Sequence, residues 1–366
     1  MTQDELYMRR CIELAQNGRQ LARPNPMVGA VITAPSPCGE GSGEATLDPQ
    51  PSTLNPRPLT LDPQPSTLNH IIGEGYHVRC GEGHAEVNAF ASVRPEDEPL
   101  LKDATIYVSL EPCAHYGKTP PCCDLIIKKG VKRVVVGCVD PFSKVQGRGI
   151  ERMREAGIEV TVGVLEKECR NLNRRFFTFH EKHRPYIILK WAQTENGFLD
   201  DNGQSLAISS PYTKMLVHQL RAEEDAIVVG HTTWEREHPQ LNVREWSGKD
   251  PVRYVIAREN SQLSTLDPQL STVPDIDSLL ADCYERKLQS LIVEGGAKTI
   301  QSFLDADLWD EIRVETNTAL RVEGGTKAPQ LPAEATVYSK EQFDGNVITS
   351  YRNQQVSHPI SAFPIL

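Results

Sequence analysis

The sequence has no long apolar segment and no excess of basic residues. Nowhere does an apolar run reach the ~18 residues that cross a membrane, so we expect no membrane span. The start, Met1-Thr-Gln-Asp-Glu5, lacks the basic and apolar regions of a signal peptide, which predicts a cytoplasmic protein. With 39 Lys and Arg against 49 Asp and Glu, the net charge is −10. This balance disfavours a broad nucleic-acid-binding surface.

The length and the order of the apolar segments bound the architecture. At 366 residues the chain is too long for one ordinary hydrophobic core, so two domains are expected. Segments typical of strands alternate with helical periodicity, which predicts α/β sheets with helices on both faces. A stretch rich in charged and aromatic residues interrupts the alternation. We therefore expect a first domain over residues 1–168, a linker over 169–184 and a second domain over 185–366.

Residues 34–69 are foreign to this alternation. The segment Leu-Asp-Pro-Gln-Pro-Ser-Thr-Leu-Asn occurs at 47–55 and again at 61–69, and a partial copy lies at 266–272. A repeat with this much proline suits neither a helix nor a sheet ladder. We interpret residues 34–69 as a low-complexity insertion in a surface hairpin, without catalytic duty. A proline-rich docking site is the alternative.

A His-x-Glu motif at His84 and Glu86 is followed by two Pro-Cys pairs that end at Cys113 and Cys122. These are the residue types of a zinc-dependent deaminase. One imidazole and two thiolates hold Zn²⁺ and leave a fourth position for water, whose pKa the metal lowers. Glu86 need not bind metal and can carry a proton from the water to the leaving amino group. We expect His84, Cys113 and Cys122 as ligands and Glu86 as the catalytic residue.

Some alternatives to this assignment remain open. Eight residues separate Cys113 from Cys122, whereas Cys-x-x-Cys is the commonest deaminase spacing. Cys123 could compete with Cys122, but adjacent residues of a helix point about 100° apart, so only one should face the metal. A zinc-stabilised binding protein is another reading, although a structural site closes all four positions and needs no carboxylate beside its histidine. A nucleic-acid deaminase with an accessory domain is a third.

Several motifs along the chain resemble one known family. They are Pro24-Asn-Pro-Met-Val-Gly29, His84-Ala-Glu-Val-Asn88, the Cys-x8-Cys segment with Gly-Lys-Thr-Pro-Pro inside it, Gly147-Arg-Gly149 and Val293-Glu-Gly-Gly296. They look like the bifunctional riboflavin-biosynthesis deaminase/reductase, and the resemblance covers almost the whole chain outside the repeat-bearing insertions. It implies an N-terminal cytidine-deaminase-like three-layer α/β/α domain and a C-terminal dihydrofolate-reductase-like α/β domain.

The resemblance implies two reactions and two cofactors, Zn²⁺ and NADPH. The first reaction is hydrolytic deamination of 2,5-diamino-6-ribosylamino-4(3H)-pyrimidinone 5′-phosphate. The second is NADPH-dependent reduction of the ribosyl side chain to ribityl. The implied partners are small pyrimidine ribosyl phosphates, with no nucleic acid and no membrane, and a homo-oligomer is compatible with the family.

The same resemblance implies ligand contacts in both domains. In the first domain, Asn25 would hold the pyrimidine, and Lys118 and Asp140 would contact the ribose-phosphate end. The residues of the second domain implied to contact substrate are Ser205, Arg221, Leu241, Arg244 and Glu294. Those implied to contact the cofactor are Ala192, Thr233, Glu237, Gly296, Ala297, Lys298 and Thr299.

The second domain departs from the family pattern at three positions. Asn196 stands where the family has the Asp of Ser-x-Asp-Gly, Ala207 replaces a usual Trp, and Glu237 replaces an Asp that touches the cofactor. A deaminase with an inactive second domain is therefore a further alternative.

Overall fold

The computed structural model describes residues 1–35, 69–116, 120–142, 146–257 and 269–353. The chain divides into two compact units, the first made of Met1–Asn17 and Val28–Glu166, the second of Gly18–Met27 and Lys167–Leu366. Lys118 and most of the repeat insertion lie outside the described residues. None of the described helices is long and apolar enough to cross a membrane.

The first unit is built on a five-stranded sheet within the described residues. Its strands are β1 (Gly29–Ala34), β2 (His70–Tyr76), β3 (Thr105–Leu110), β4 (Arg133–Cys138) and β5 (Glu159–Val162), in the order β2-β1-β3-β4-β5. β1 runs antiparallel to both β2 and β3, while β3, β4 and β5 are parallel. All six residues of β1 are buried, as expected of a strand covered on both faces.

Helices cover both faces of this sheet. α1 (Gln3–Gln16) lies on one face and starts with a capping box of Thr2 and Glu5. The helices of the other face are α2 (Ala85–Ala91), α3 (Cys122–Lys129) and α4 (Arg148–Glu155), and a 3₁₀ helix (Pro95–Asp103) precedes β3. The inward residues of β1, β3 and β4 form one apolar core with that second set. The predicted three-layer α/β/α architecture is thus confirmed for this unit.

The second unit holds an eight-stranded mixed sheet within the described residues. Its strands are β6 (Tyr186–Thr194), β7 (Ala226–Gly230), β8 (Val252–Ile256), β9 (Leu270–Val273), β10 (Ser290–Glu294), β11 (Glu311–Asn317), β12 (Ala335–Phe343) and β13 (Asn346–Asn353). The order is β12-β13-β11-β6-β10-β7-β8-β9. All neighbours from β11 to β9 are parallel, while β12 and β13 form an antiparallel edge.

The helices of the second unit enclose two cores, one on each face of its sheet. They are α5 (Glu166–Leu172), α6 (Arg174–Lys182), α7 (Pro211–Glu223), α8 (His231–Glu237), α9 (Ile276–Glu285) and α10 (Ala297–Asp305). α9 and α10 pack on the face that bears Leu189 and Val293, and α7 and α8 on the face of Ile188 and Ile292. Because successive side chains of each strand point to opposite faces, the sheet packs against a layer of helices on each side, as predicted.

Several details differ from the sequence-based interpretation, among them the following two. The segment expected to be a linker is largely helical. Its helix α6 buries Phe176, Phe177 and Phe179, so the segment is part of a packed unit. β12 was not anticipated, because none of its nine residues is fully buried and its alternation of apolar and polar side chains is weak. Such an edge strand carries little hydrophobic signal.

Candidate active sites

Three metal-binding side chains converge in the first unit. His84 is the N-cap of α2, Cys113 follows β3, and Cys122 opens α3. Their ligand atoms all lie within 4.8 Å of one another. His84 Nδ1 is 3.6 Å from Cys113 Sγ and 3.3 Å from Cys122 Sγ. Zn–S bonds of about 2.3 Å and Zn–N bonds of about 2.0–2.1 Å in a tetrahedron place sulfur and nitrogen about 3.6 Å apart, so the donors fit zinc.

The local electrostatics favour thiolate at Cys113. The Cys122 thiol donates a hydrogen bond to it, and this bond, with the neighbouring His84, lowers the pKa of Cys113 against the opposing effect of burial. The backbone N–H of Cys122, at the start of α3, also donates to Cys113 Sγ at 3.3 Å. Peptide N–H groups at a helix start stabilise negative charge. The site is therefore prepared to hold a cation.

Cys123 lies apart from this cluster. Its side chain belongs to the apolar core beside α2 and α4. Its thiol donates to Asp124 at 3.6 Å, and burial raises its pKa to about 11. The structure thus brings Cys122, and not Cys123, to the metal-binding group, because the two side chains leave the helix in different directions.

Glu86 lies in the first turn of α2, two residues after His84, and only 3% of it is exposed. Burial, followed by the negative charge of Cys113, raises the pKa of its carboxyl to about 7. α2 can approach β2 closely because Gly75 faces it, where a Cβ would overlap the backbone N–H of Ala89. A carboxyl that titrates near neutral pH can both accept and donate a proton during turnover.

His77 is a site residue that the sequence interpretation missed. It follows β2, is only 2% exposed, and its ring centre lies 5.3 Å from that of His84. Its Nδ1 is 3.1 Å from the carbonyl oxygen of Gly83, and burial lowers its pKa. A histidine at the end of an apolar strand was the available signal, but its spacing matches no ligand pattern.

The remaining first-domain predictions have different outcomes. Asp140 is buried just after β4, where its Oδ1 accepts a hydrogen bond from the backbone N–H of Phe142 at 2.8 Å, and burial raises its pKa to about 6. Asn25 belongs to the segment Gly18–Met27 of the second unit. Lys118 lies outside the described residues. The assignments of these three residues to substrate stay predictions.

A buried ion pair marks the second unit. Arg221 on α7 donates to both carboxylate oxygens of Glu294, at 3.2 Å from Nε and 2.7 Å from the terminal nitrogen. Lys190 on β6 is the strand neighbour of Glu294. Burial acts to raise the pKa of Glu294, but the charges of Arg221 and Lys190 lower it overall. The predicted substrate residues Arg221 and Glu294 are thus in direct contact.

The predicted residues Leu241 and Arg244 lie on a loop tied to the same ion pair. Arg221 also donates to the carbonyl oxygen of Asn242 at 3.2 Å, and His218 Nδ1 lies 2.9 Å from that oxygen. Leu241 is buried with a positive φ of 54°, and Arg244 is exposed. His218 was not singled out in the sequence, because a lone histidine on a helix carries no specific signal.

Several predicted cofactor residues meet at the carboxyl ends of parallel strands. Thr233 Oγ1 accepts a hydrogen bond from the backbone N–H of Gly296, after β10, at 3.0 Å. A Cβ on Gly230, at the end of β7, would overlap Thr299 Oγ1. Ligands of open α/β sheets bind at this edge, and a helix start such as that of α10 suits phosphate.

The other predicted residues of the second unit have the following positions. Ala192 lies within β6, opposite Glu315 of β11. Ala297 and Lys298 open α10, and Glu237 ends α8 in an exposed position. Ser205 is exposed after the Asp201–Gln204 bridge. These ligand assignments stay predictions.

Asn196, one of the departures from the family pattern, has a local structural role. Its amide donates to the carbonyl oxygen of Val322 at 2.7 Å, and its Oδ1 accepts from the Thr194 hydroxyl at 3.0 Å. Thr194 Oγ1 in turn accepts the N–H of Phe198 at 3.0 Å. Asparagine therefore closes this turn with hydrogen bonds that an aspartate could make only in part, because a carboxylate cannot donate.

Comparison with known proteins gives a match in each half. Residues 66–138 match the cytidine and deoxycytidylate deaminase zinc-binding region, and residues 185–320 match the RibD C-terminal domain. The chain is 35% identical over 352 residues to the riboflavin biosynthesis protein RibD of Aquifex aeolicus, covering 88% of each chain. It is 38% identical over 356 residues to RibD of Escherichia coli, covering 85% of this chain and 87% of that one.

The solved structures agree with these sequence relatives. A diaminohydroxyphosphoribosylaminopyrimidine deaminase/5-amino-6-(5-phosphoribosylamino)uracil reductase from Thermotoga maritima superposes with a TM-score of 0.77. The two are 32% identical, and the match covers 96% of this chain and 99% of the other. RibD of Acinetobacter baumannii gives a TM-score of 0.76 at 27% identity, over 96% of this chain and 98% of that one. With its metal-binding cluster in one half and the RibD C-terminal domain in the other, the chain belongs to the RibD family and is a deaminase and reductase of riboflavin biosynthesis.

Proposed function

We propose that the first unit deaminates 2,5-diamino-6-ribosylamino-4(3H)-pyrimidinone 5′-phosphate, and that the second reduces the ribosyl side chain of the product with NADPH. The observation that carries the proposal is the buried Glu86 beside the converging side chains of His84, Cys113 and Cys122. The double activity of the Thermotoga maritima protein supports the choice of substrates.

In the deaminase step, His84, Cys113 and Cys122 would hold zinc, which when bound supplies a water of lowered pKa. Glu86 accepts the proton of the attacking water at a carboxylate oxygen. The same oxygen then donates that proton to the departing amino group, which leaves as ammonia. Burial raises the pKa of Glu86 above that of an ordinary carboxyl, and this shift suits a group that must both accept and return a proton.

In the reductase step, NADPH would supply hydride, and the chain would supply position and charge. Thr233 and the turn at Gly296 would hold the cofactor phosphates at the start of α10. Arg221 and Glu294 would orient the sugar, with Lys190 beside them as a further charged group. Because Glu294 stays ionised next to Arg221, it is suited to accept hydrogen bonds from sugar hydroxyls.

The test supplies the diamino substrate with and without NADPH and identifies the products by mass. Without NADPH, one amino group should be replaced by oxygen, with release of one ammonia. With NADPH, the product should carry two additional hydrogens. Unchanged substrate would overturn the deaminase proposal. Deaminated but unreduced product would overturn the reductase proposal. tRNA and single-stranded DNA should gain neither inosine nor uracil under the same conditions.

A further inference from the structure

Glu111 is a buried carboxylate that the reaction described above does not use. It follows β3, two residues before Cys113, and only 4% of it is exposed. Its side chain accepts hydrogen bonds from three backbone N–H groups. Oε2 accepts from Asp140 at 3.3 Å and from Gly147 at 2.9 Å, and Oε1 accepts from Gly149 at 3.1 Å.

The three N–H groups come from the two ends of one connection. Asp140 lies just after β4, whereas Gly147 and Gly149 lie at the start of α4. The N–H groups at a helix start have no partner within the helix. A carboxylate there accepts their hydrogen bonds, and its negative charge interacts favourably with the positive end of the helix dipole. Glu111 therefore joins the end of a strand to the start of the next helix.

The two glycines of Gly147-Arg-Gly149 have a physical reason in this arrangement. Gly147 has a positive φ of 79°, which glycine adopts without strain. A Cβ on Gly149 would overlap the carbonyl oxygen of Pro112, so only glycine lets α4 start against the backbone that leads to Cys113. The two glycines thus let the start of α4 come close enough for its N–H groups to donate to Glu111.

The same contacts fix Asp140. Its N–H is held by Glu111, and its own Oδ1 accepts the N–H of Phe142 at 2.8 Å. Both the backbone and the carboxylate of Asp140 are therefore constrained, although the residue makes no ion pair within the described part of the chain. A carboxylate held in this way is ready to receive a ligand hydroxyl without rearrangement.

We propose that Glu111 is a positioning residue of the deaminase reaction, which sets the backbone of Asp140 for contact with the ribose-phosphate end of the substrate. This inference rests on the proposed function, because it takes Asp140 as a substrate contact. Glutamate is required, since its two oxygens accept three N–H donors while a glutamine offers one acceptor oxygen and turns an NH₂ group towards the remaining donor.

The test compares Glu111→Gln with wild type in both activities. A buried N–H without an acceptor disfavours the conformation that holds Asp140 for the substrate, by a factor of about 5 to 150. The KM for the diamino substrate should rise within that range, while kcat stays within about threefold, since loss of binding that stabilises the ground state and the transition state equally raises KM alone. Zinc content and both reductase parameters should be unchanged. Glu151→Gln, an exposed glutamate in the first turn of α4, removes the same charge and should change nothing.

Combination with Asp140→Ala separates positioning from a general structural role. If Glu111 acts through Asp140, adding Glu111→Gln to Asp140→Ala should raise KM less than it does in wild type. An equal rise in both backgrounds, an unchanged KM, loss of zinc, or a joint fall of kcat in both activities would each overturn the role. If Glu111→Gln does not fold, Glu111→Asp, whose shorter side chain withdraws the carboxylate from the same three N–H groups, must raise KM with kcat preserved. A wild type without deaminase activity would instead overturn the proposed function itself.

Discussion

At the scale of single residues, burial acts on three carboxyl groups with different results. It raises the pKa of Glu86 to about 7 and that of Asp140 to about 6. At Glu294 it is outweighed by Arg221 and Lys190, and the pKa is lowered. The raised pKa of Glu86 suits proton transfer, whereas Glu294, held ionised, suits the fixed binding of a polar ligand.

Replacing Glu86 by glutamine should abolish deamination and spare reduction. Glutamine keeps the size of the side chain but cannot accept and return a proton, so the rate should fall at least 10²–10⁴-fold, roughly the worth of positioned acid–base catalysis. Zinc should remain, because the three ligands are untouched. Ammonia release from the diamino substrate measures the first activity, and NADPH absorbance with the deaminated substrate measures the second. Near wild-type ammonia release would show that Glu86 has another role.

The two adjacent cysteines should differ in metal binding. Cys122→Ser removes a thiolate from the three-residue cluster and should lower bound zinc severalfold. Cys123→Ser, the matched control, alters a thiol that packs in the core and should keep zinc at one per chain. Metal analysis after dialysis measures both. Full zinc in the first variant with none in the second would reverse the assignment.

The sequence identified the residues whose chemistry requires a fixed spacing. The His-x-Glu and Pro-Cys motifs predicted the converging group of His84, Cys113 and Cys122 without a structure. Glu111 and His218 escaped prediction because they act on backbone groups, and the position of a backbone group is set by the fold rather than by a motif. His77 escaped because its spacing from His84 matches no ligand pattern, although the two rings lie 5.3 Å apart.

At the scale of secondary structure elements, α1 is joined to the sheet by a partly buried charged group. Arg133 on β4 donates two hydrogen bonds of 2.8 Å to Asp4, and the Tyr107 hydroxyl on β3 donates a third at 3.0 Å. The hydrogen bonds from Arg133, more than any other contact, lower the pKa of Asp4. These contacts supply a polar attachment beside the apolar one made by Met8 and Cys11.

The stability from Asp4 should depend on pH. Because its folded pKa lies below the unfolded value of about 3.9, its contribution is present above that value and is lost as the pH falls through the folded pKa. Asp4→Asn should cost about 1–2 kcal/mol at pH 7, the net worth of hydrogen bonds to a charged group, and progressively less below about pH 4. Urea unfolding at several pH values measures this.

Glu159→Gln is the matched control for that experiment, because Glu159 also faces Arg133 but is 65% exposed. It should cost less than about 0.5 kcal/mol. A cost of Asp4→Asn that stays constant from pH 7 to pH 3 would contradict the pKa assignment.

The repeat insertion connects two strands that already pair. Ala34 at the end of β1 lies opposite His70 at the start of β2. Replacing residues 37–68 with a short glycine-containing turn should therefore leave deaminase turnover within about twofold, because loop closure depends weakly on length. Reductase activity of the same protein serves as the control for folding. A tenfold loss confined to deamination would show that the insertion shapes the site.

Strands covered on both faces were the easiest elements to predict. β4 and β10 each contain three or more consecutive buried apolar residues, a pattern that by itself indicates a strand. α6 and β12 were missed because tertiary contacts decide their conformation. Arg174 and Arg175 made the segment of α6 resemble a linker, yet each pairs with a glutamate, Glu311 and Glu224 respectively.

At the scale of the whole molecule, the second unit is assembled from two separate pieces of the chain. Residues of Gly18–Met27 contact residues far along the sequence, as in the pairs Arg19–Glu223 and Arg23–Asp225, each at 3.2 Å. The Asn173 side chain exchanges two hydrogen bonds of 2.8 Å with the backbone of Met27. The chain thus enters the second unit, returns to the first, and enters the second again.

Because the second unit contains two separate segments of the chain, a gene cut between the predicted domains would divide that unit. A gene divided at codon 168 would place Arg19 and Arg23 on one polypeptide and their acidic partners on the other. The shorter polypeptide would carry Gly18–Met27 without the rest of the second unit, and the longer polypeptide would lack that segment. Successful complementation by the two polypeptides would require them to reassociate, and added salt should weaken that reassociation because ion pairs contribute to it.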